Sequence, residues 1–217
     1  MTSLIRFWRD EVGGPLVEVA VLLPIVFLFL FASVDFLIAF YQWTAATKAV
    51  EVGARLAAVS DPVASGLSTI PTNALNGTTV QLGDSMPDFE VTCNDASTGL
   101  GACTCTRGTC TGMGTYSATA MNTLVFGRGS AACNDATSFY KVGMCDIFPP
   151  ITAANVKVAY SQTGLGYAGR AAGPVPTITV SLQNLNFQFL FLNGFATRTM
   201  PPFATTITGE GLSSGAH

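Results

Sequence analysis

The sequence predicts an α+β chain: a long N-terminal helix packed on a small, mostly antiparallel β-sheet domain with disulfide-rich loops. Three observations carry that expectation. An apolar run over residues 16–34 flows into a stretch of helical spacing that ends at Ser60-Asp61-Pro62. The remainder is rich in Thr, Gly, Ser and Asn and holds several short runs with strand-like alternation. All six cysteines, Cys93, Cys103, Cys105, Cys110, Cys133 and Cys145, fall in that remainder.

The helix comes first. Residues 16–34 carry one charge, Glu18. At ~1.5 Å per residue the run is about 28 Å long, close to the ~30 Å of bilayer hydrocarbon. Residues 36–41 extend the apolar pattern, and Tyr41 with Trp43 supplies an interfacial aromatic pair. A cleaved secretory signal has an apolar core of ~7–15 residues and then a small-residue cut site. This core is longer, and more helix follows it. Ala45, Ala49, Val52 and Leu56 fall at steps of three and four, the spacing of one helical face. Pro15 suits a first-turn position, and Ser60-Asp61-Pro62 is a stop. The expected helix covers residues 14–60, with its membrane-spanning part at about 16–41. A helix of ~45 residues is about 68 Å long, more than one membrane needs.

Three residues interrupt the oily pattern. Pro24 removes one backbone hydrogen bond, which membrane helices tolerate when neighbours compensate. Glu18 and Asp35 each place an acid where insertion costs ~2.5–3.5 kcal/mol at a helix centre and less near the ends. Glu18 lies near one expected interface. For Asp35 the sequence leaves two readings open, a contact with a partner helix or snorkelling to the other interface.

The remainder reads as short elements. Residues 62–78 suit a loop or short helix, 79–82 and 89–93 a hairpin around Gly83-Asp84-Ser85-Met86-Pro87-Asp88, and 94–115 a loop held by disulfides. Residues 116–126 suit a short helix. Strands are expected at 156–162, 177–182, 186–192 and 204–208. An even number of cysteines beyond a membrane segment reads as disulfides in an oxidising compartment, with 15 possible pairings. A strained ring disfavours a Cys103–Cys105 bond. Thiolate ligation by Cys103, Cys105 and Cys110 is the competing reading, but paired C-x-x-C knuckles and helping histidines are missing.

Composition narrows the function. Charged residues are 11% of the chain and the formal net charge is -3, with no basic stripe, so nucleic acid is not an expected partner. The one histidine is His217. No H-E-x-x-H, P-loop or G-x-S-x-G occurs, and Asp135 and Asp146 read as solvated loop acids. The expectation is no enzyme, no catalytic residue, no metal, no cofactor and no small-molecule substrate.

"Gly13-Gly14-Pro15-Leu16-Val17-Glu18" fits a prepilin-type processing site: a cut after Gly13 makes Glu18 the fifth mature residue. The cut leaves a new ammonium on Gly14. A buried charge without a partner costs several kcal/mol, so a carboxylate four residues along favours one stacking register of neighbouring helices. Further along come "VEVA" at 17–20, "LLP" at 22–24, "VDF" at 34–36 and "VGARLAAV" at 52–59. With these the chain resembles the TadE-like minor pilins, or pseudopilins, of tight-adherence (Flp) type IVb pili, over residues 13–60. The resemblance is weaker at "VKVAYS" (156–161), "PTITVSL" (176–182) and "ATTITGEG" (204–211).

The resemblance implies a cytoplasmic leader over residues 1–13 and an inner-membrane helix. It implies a periplasmic or extracellular domain over 61–217. The implied partners are the membrane, a prepilin peptidase, and other pilin subunits met through the helix, with Glu18, Pro24 and Asp35 as its assembly residues. The alternative is a single-pass anchored envelope domain that binds a partner and does not polymerise.

Overall fold

A computed structural model describes residues 14–76, 79–95, 101–134, 141–191 and 198–209. The leader, Gly13, Asp135 and His217 lie outside the described residues. The chain forms two compact units. One is Met1–Tyr41 with Phe187–Arg198, and the other is Gln42–Asn186 with Thr199–His217.

Helix α1, Gly14–Ala58, is continuous over 45 residues and includes Pro24. It ends where Ser60, Asp61 and Pro62 follow, and Arg55 lies in its last turn, where a cation meets the negative end of the helix dipole. Its second half belongs to the larger unit. There the buried face is made of small residues: Ala45, Ala46, Ala49, Val50, Ala54, Ala57 and Ala58. Val52 and Leu56, expected on this face, are half-buried at its flank, so the true stripe is rotated by about one residue. Small side chains bring other elements close. A Cβ added to Gly53 would stand 2.5 Å from the Met144 sulfur. Trp43 also packs here, edge-on to Phe203 with ring centroids 4.9 Å apart.

The larger unit is built on an antiparallel sheet of β1 (Phe89–Asn94), β2 (Ala102–Gly108), β3 (Val156–Ser161), β4 (Thr177–Leu182) and β5 (Phe203–Thr208). Their order is β2-β1-β3-β4-β5. Strands β3 and β4 alternate buried and half-buried residues with the period of two that strand geometry dictates. Register places Val156 opposite Leu182, Val158 opposite Val180 and Tyr160 opposite Ile178. All six are buried, each apolar side chain contributing ~1.5–3 kcal/mol relative to exposure. The Tyr160 hydroxyl accepts a hydrogen bond from the Val63 N–H at 3.0 Å. Burial pushes this phenol well above its ordinary value, and the Val63 bond partly offsets the shift.

Short helices complete the unit: α2 (Ile70–Asn73), α3 (Ala118–Phe126) and α4 (Met144–Ile147), with single 3-10 turns at Leu67–Thr69 and Ala153–Asn155. Helix α3 matches the expected short helix. The Ser117 hydroxyl caps it by accepting from the Ala120 N–H, and Gly127 ends it at φ 87°. Asp146 caps α4, accepting from the Gly143 N–H at 2.8 Å and the Asn134 N–H at 2.6 Å. It is a structural acid rather than a merely solvated one.

Two sequence expectations are corrected. Residues 79–82 form no strand. Their chain turns at Gly83 (φ 94°), with the Asp84 carboxylate accepting from the Gln81 N–H. The hairpin partner of β1 is β2, in the stretch expected to be a loop. β2 is an exposed edge with no alternating apolar residues, so it carries no periodic signal. The expected strand at 186–192 is also absent over its described residues 186–191. Asn186 makes one isolated bridge to Thr199, and the chain beyond it is irregular.

The cysteines pair as Cys93–Cys103, Cys105–Cys110 and Cys133–Cys145. The first joins β1 to β2 at directly opposed positions. The second ties the middle of β2 to the loop after it, and the third ties a loop to α4. All six cysteines lie in pairs at disulfide distance.

Candidate functional site

The smaller unit carries the most unusual surface. From Val17 to Tyr41 nearly every large apolar side chain of α1 is exposed, with Leu28 at 66%, Phe29 at 70% and Phe36 at 71%. Soluble monomers rarely expose a contiguous apolar patch beyond a few hundred Å². This half of α1 is long and apolar enough to cross a membrane. Glu18 is exposed near its start, and Pro24 has no N–H to offer the carbonyl of Ala20. Helical rise puts Glu18 about 6 Å along the axis from Gly14, one turn away on the same side.

One acid stands apart from this exposed surface. Asp35 is 1% exposed. One carboxylate oxygen accepts from the Leu190 N–H at 2.8 Å and from the Phe191 N–H at 3.2 Å, and the other accepts from Phe191 at 3.1 Å. Phe191 also stacks on Phe31 with centroids 4.4 Å apart, and Phe31 stacks on Phe27 at 5.8 Å. The sequence left Asp35 with a partner helix or an interface. In the folded chain two backbone N–H groups of its own smaller unit take it up.

The magnitudes match. A hydrogen bond to a charged group is worth ~1.5–3 kcal/mol net. Two such donors are of the size needed to offset the ~2.5–3.5 kcal/mol that an acid costs at the centre of a membrane helix. The benefit runs both ways, since an unsatisfied backbone N–H in hydrocarbon costs several kcal/mol.

The segment that meets Asp35 reads Phe187-Gln188-Phe189-Leu190-Phe191. The Phe187 N–H donates to the Arg198 carbonyl at 2.8 Å. Sequence reasoning expected a strand here and missed its contact with the helix. Residues 192–197 lie outside the described residues.

In the larger unit, sequence reasoning also missed Arg128. Its guanidinium donates to the Val59 carbonyl and to the Ser60 hydroxyl, satisfying a carbonyl just beyond the end of α1. Among the described residues no group of three or more His, Cys, Asp or Glu side chains could hold a metal ion.

Among the described residues, fold and site together define one membrane-capable helix, exposed over its first half, and a disulfide-linked α+β unit. The family model described as TadE-like protein matches residues 16–55, and over that segment the chain is similar to TadE-like proteins. The match covers Glu18, Pro24 and Asp35 and runs into the Ala-lined half of α1. No curated protein and no solved structure matches the chain.

Proposed function

We propose that this chain is a minor pilin, or pseudopilin, of a tight-adherence pilus, cut by a prepilin peptidase between Gly13 and Gly14. It takes part in pilus assembly or initiation for surface adhesion and catalyses no reaction. The N-terminus starts in the cytoplasm, the helix spans the bacterial inner membrane, and the disulfide-linked unit faces the periplasm, or the outside after assembly.

One observation carries this reading. The helix segment similar to TadE-like proteins keeps its large apolar side chains from Val17 to Tyr41 on the outside, with Glu18 at its head. Such a surface suits lipid before assembly and other apolar helices after it. Glu18 then meets the ammonium that cleavage creates on Gly14. In a stack of apolar helices an unpaired charge costs several kcal/mol, so the pair selects one register.

Co-expression with the cognate prepilin peptidase is expected to give a mature chain beginning at Gly14, read by intact mass. An uncut chain would favour the anchored, non-polymerising alternative. Glu18→Ala is expected to insert normally yet reduce pilus number, counted by electron microscopy. Unchanged piliation would remove Glu18 from assembly.

A further inference from the structure

We infer that residues 187–191 form an intramembrane arm, immersed in the leaflet nearer Tyr41, with the Asp35 carboxylate as the acceptor for its backbone. The inference rests on the membrane-spanning part of the reading above and not on cleavage or polymerisation.

Depth comes from helix geometry. Asp35 lies six residues before Tyr41 and Phe31 ten, about 9 and 15 Å along the axis. With Tyr41 at the headgroups, both positions are inside the hydrocarbon. Phe191 stacks on Phe31 and its N–H bonds to Asp35, so the arm reaches the same depth. An irregular segment survives in lipid only when its backbone polar groups are satisfied. Three of the five N–H groups of residues 187–191 are taken up in this way, those of Leu190 and Phe191 by Asp35 and that of Phe187 by Arg198.

The side chains fit the same solvent. Leu190 is 65% exposed and Phe191 43%, and Phe31, on which Phe191 stacks, is 42% exposed. An acid that snorkelled would turn its oxygens outward to water. Asp35 instead holds them against the arm. Lipid is the occupant these observations favour, because Phe191 of the arm and Phe31 of the spanning helix, stacked ring on ring, are both exposed at that depth.

The test uses the full chain in phosphatidylethanolamine–phosphatidylglycerol vesicles doped with dibrominated phosphatidylcholine. Trp8 and Trp43 are replaced by Phe, and single reporters are introduced as Leu190→Trp, Phe29→Trp and Leu82→Trp. Leu190→Trp is expected to lose most of its emission to the brominated lipid, as Phe29→Trp does. Leu82→Trp is expected to answer to acrylamide instead. Adding Asp35→Ala is expected to cut lipid quenching of Leu190→Trp several-fold and leave Phe29→Trp unchanged.

If Leu190→Trp answers only to acrylamide while Phe29→Trp answers to lipid, the arm is outside the membrane and the inference fails, though the anchor stands. Shielding of Leu190→Trp from both quenchers would mean that a protein surface covers the arm, which also overturns it. If Phe29→Trp ignores the lipid, the anchor itself is wrong. Unchanged quenching in the Asp35→Ala background would remove Asp35 from its assigned role.

Discussion

The two halves of α1 share a helix and differ in almost everything else. From Val17 to Tyr41 the side chains are large, apolar and exposed. From Gln42 to Ala58 the face that matters is small and buried, with Ala46 and Ala49 at 0% exposure. Burial in the second half comes from the folded unit around it. Among the described residues the first half has no such cover over most of its length, a surface that suits an apolar solvent. One continuous helix can therefore be specified by two unrelated rules: side-chain size against a protein core, and mean apolarity against lipid.

Substitutions should break that comparison in order of size. Ala49→Asp puts a carboxylate at a fully buried position and is expected to cost on the order of 3–5 kcal/mol in the larger unit. Denaturant titration in detergent would read it. A cost below ~1 kcal/mol would mean that the second half is not packed as described. Next comes the Cys133–Cys145 bond, which spans 12 residues. Replacing both by Ser is expected to cost about 3 kcal/mol by loop-closure entropy. Membrane association of the first half should be untouched, as flotation would check.

Gly53→Val drives a side chain into Met144 and is expected to cost ~1–3 kcal/mol. Its counterpart in the first half, Phe29→Ala, should change the stability of the larger unit by less than ~0.5 kcal/mol, because Phe29 is 70% exposed. Equal effects from the two would erase the distinction between the halves. The smallest expected effect is alkaline. The Tyr160 phenol is held protonated in the fold, so its contribution is intact below the ordinary tyrosine value. Stability should then fall as pH rises above ~10, where the unfolded chain begins to lose that proton. Tyr160→Phe should flatten that part of the curve.

These regions were not equally legible in the sequence. The first half of α1 was readable because apolarity over ~20 residues is a strong signal. Strands β3 and β4 were readable because Val156, Val158, Tyr160, Ile178, Val180 and Leu182 alternate strictly. β2 was missed because Ala102–Gly108 is an exposed edge held by Cys93–Cys103, and register set by a crosslink leaves no periodic trace. The buried face of α1 was read about one residue off, since several Ala and Gly positions fit either choice. Asp35 was recognised as an anomaly but not explained. Its donors lie 155 and 156 residues away in the chain, and nothing local points to them. The processing site remains a sequence argument, because Gly13 lies outside the described residues.

The most direct measurement of the two-solvent account is a lipid-borne carbene probe on the full chain in vesicles, mapped by mass spectrometry. The two-solvent account predicts labels on residues 17–41 and 187–191, with 42–44 at the boundary, and none on the buried positions Ala45, Ala46, Ala49, Val50, Ala54, Ala57 and Ala58. Labels on those buried positions, or their absence from 17–41, would contradict it.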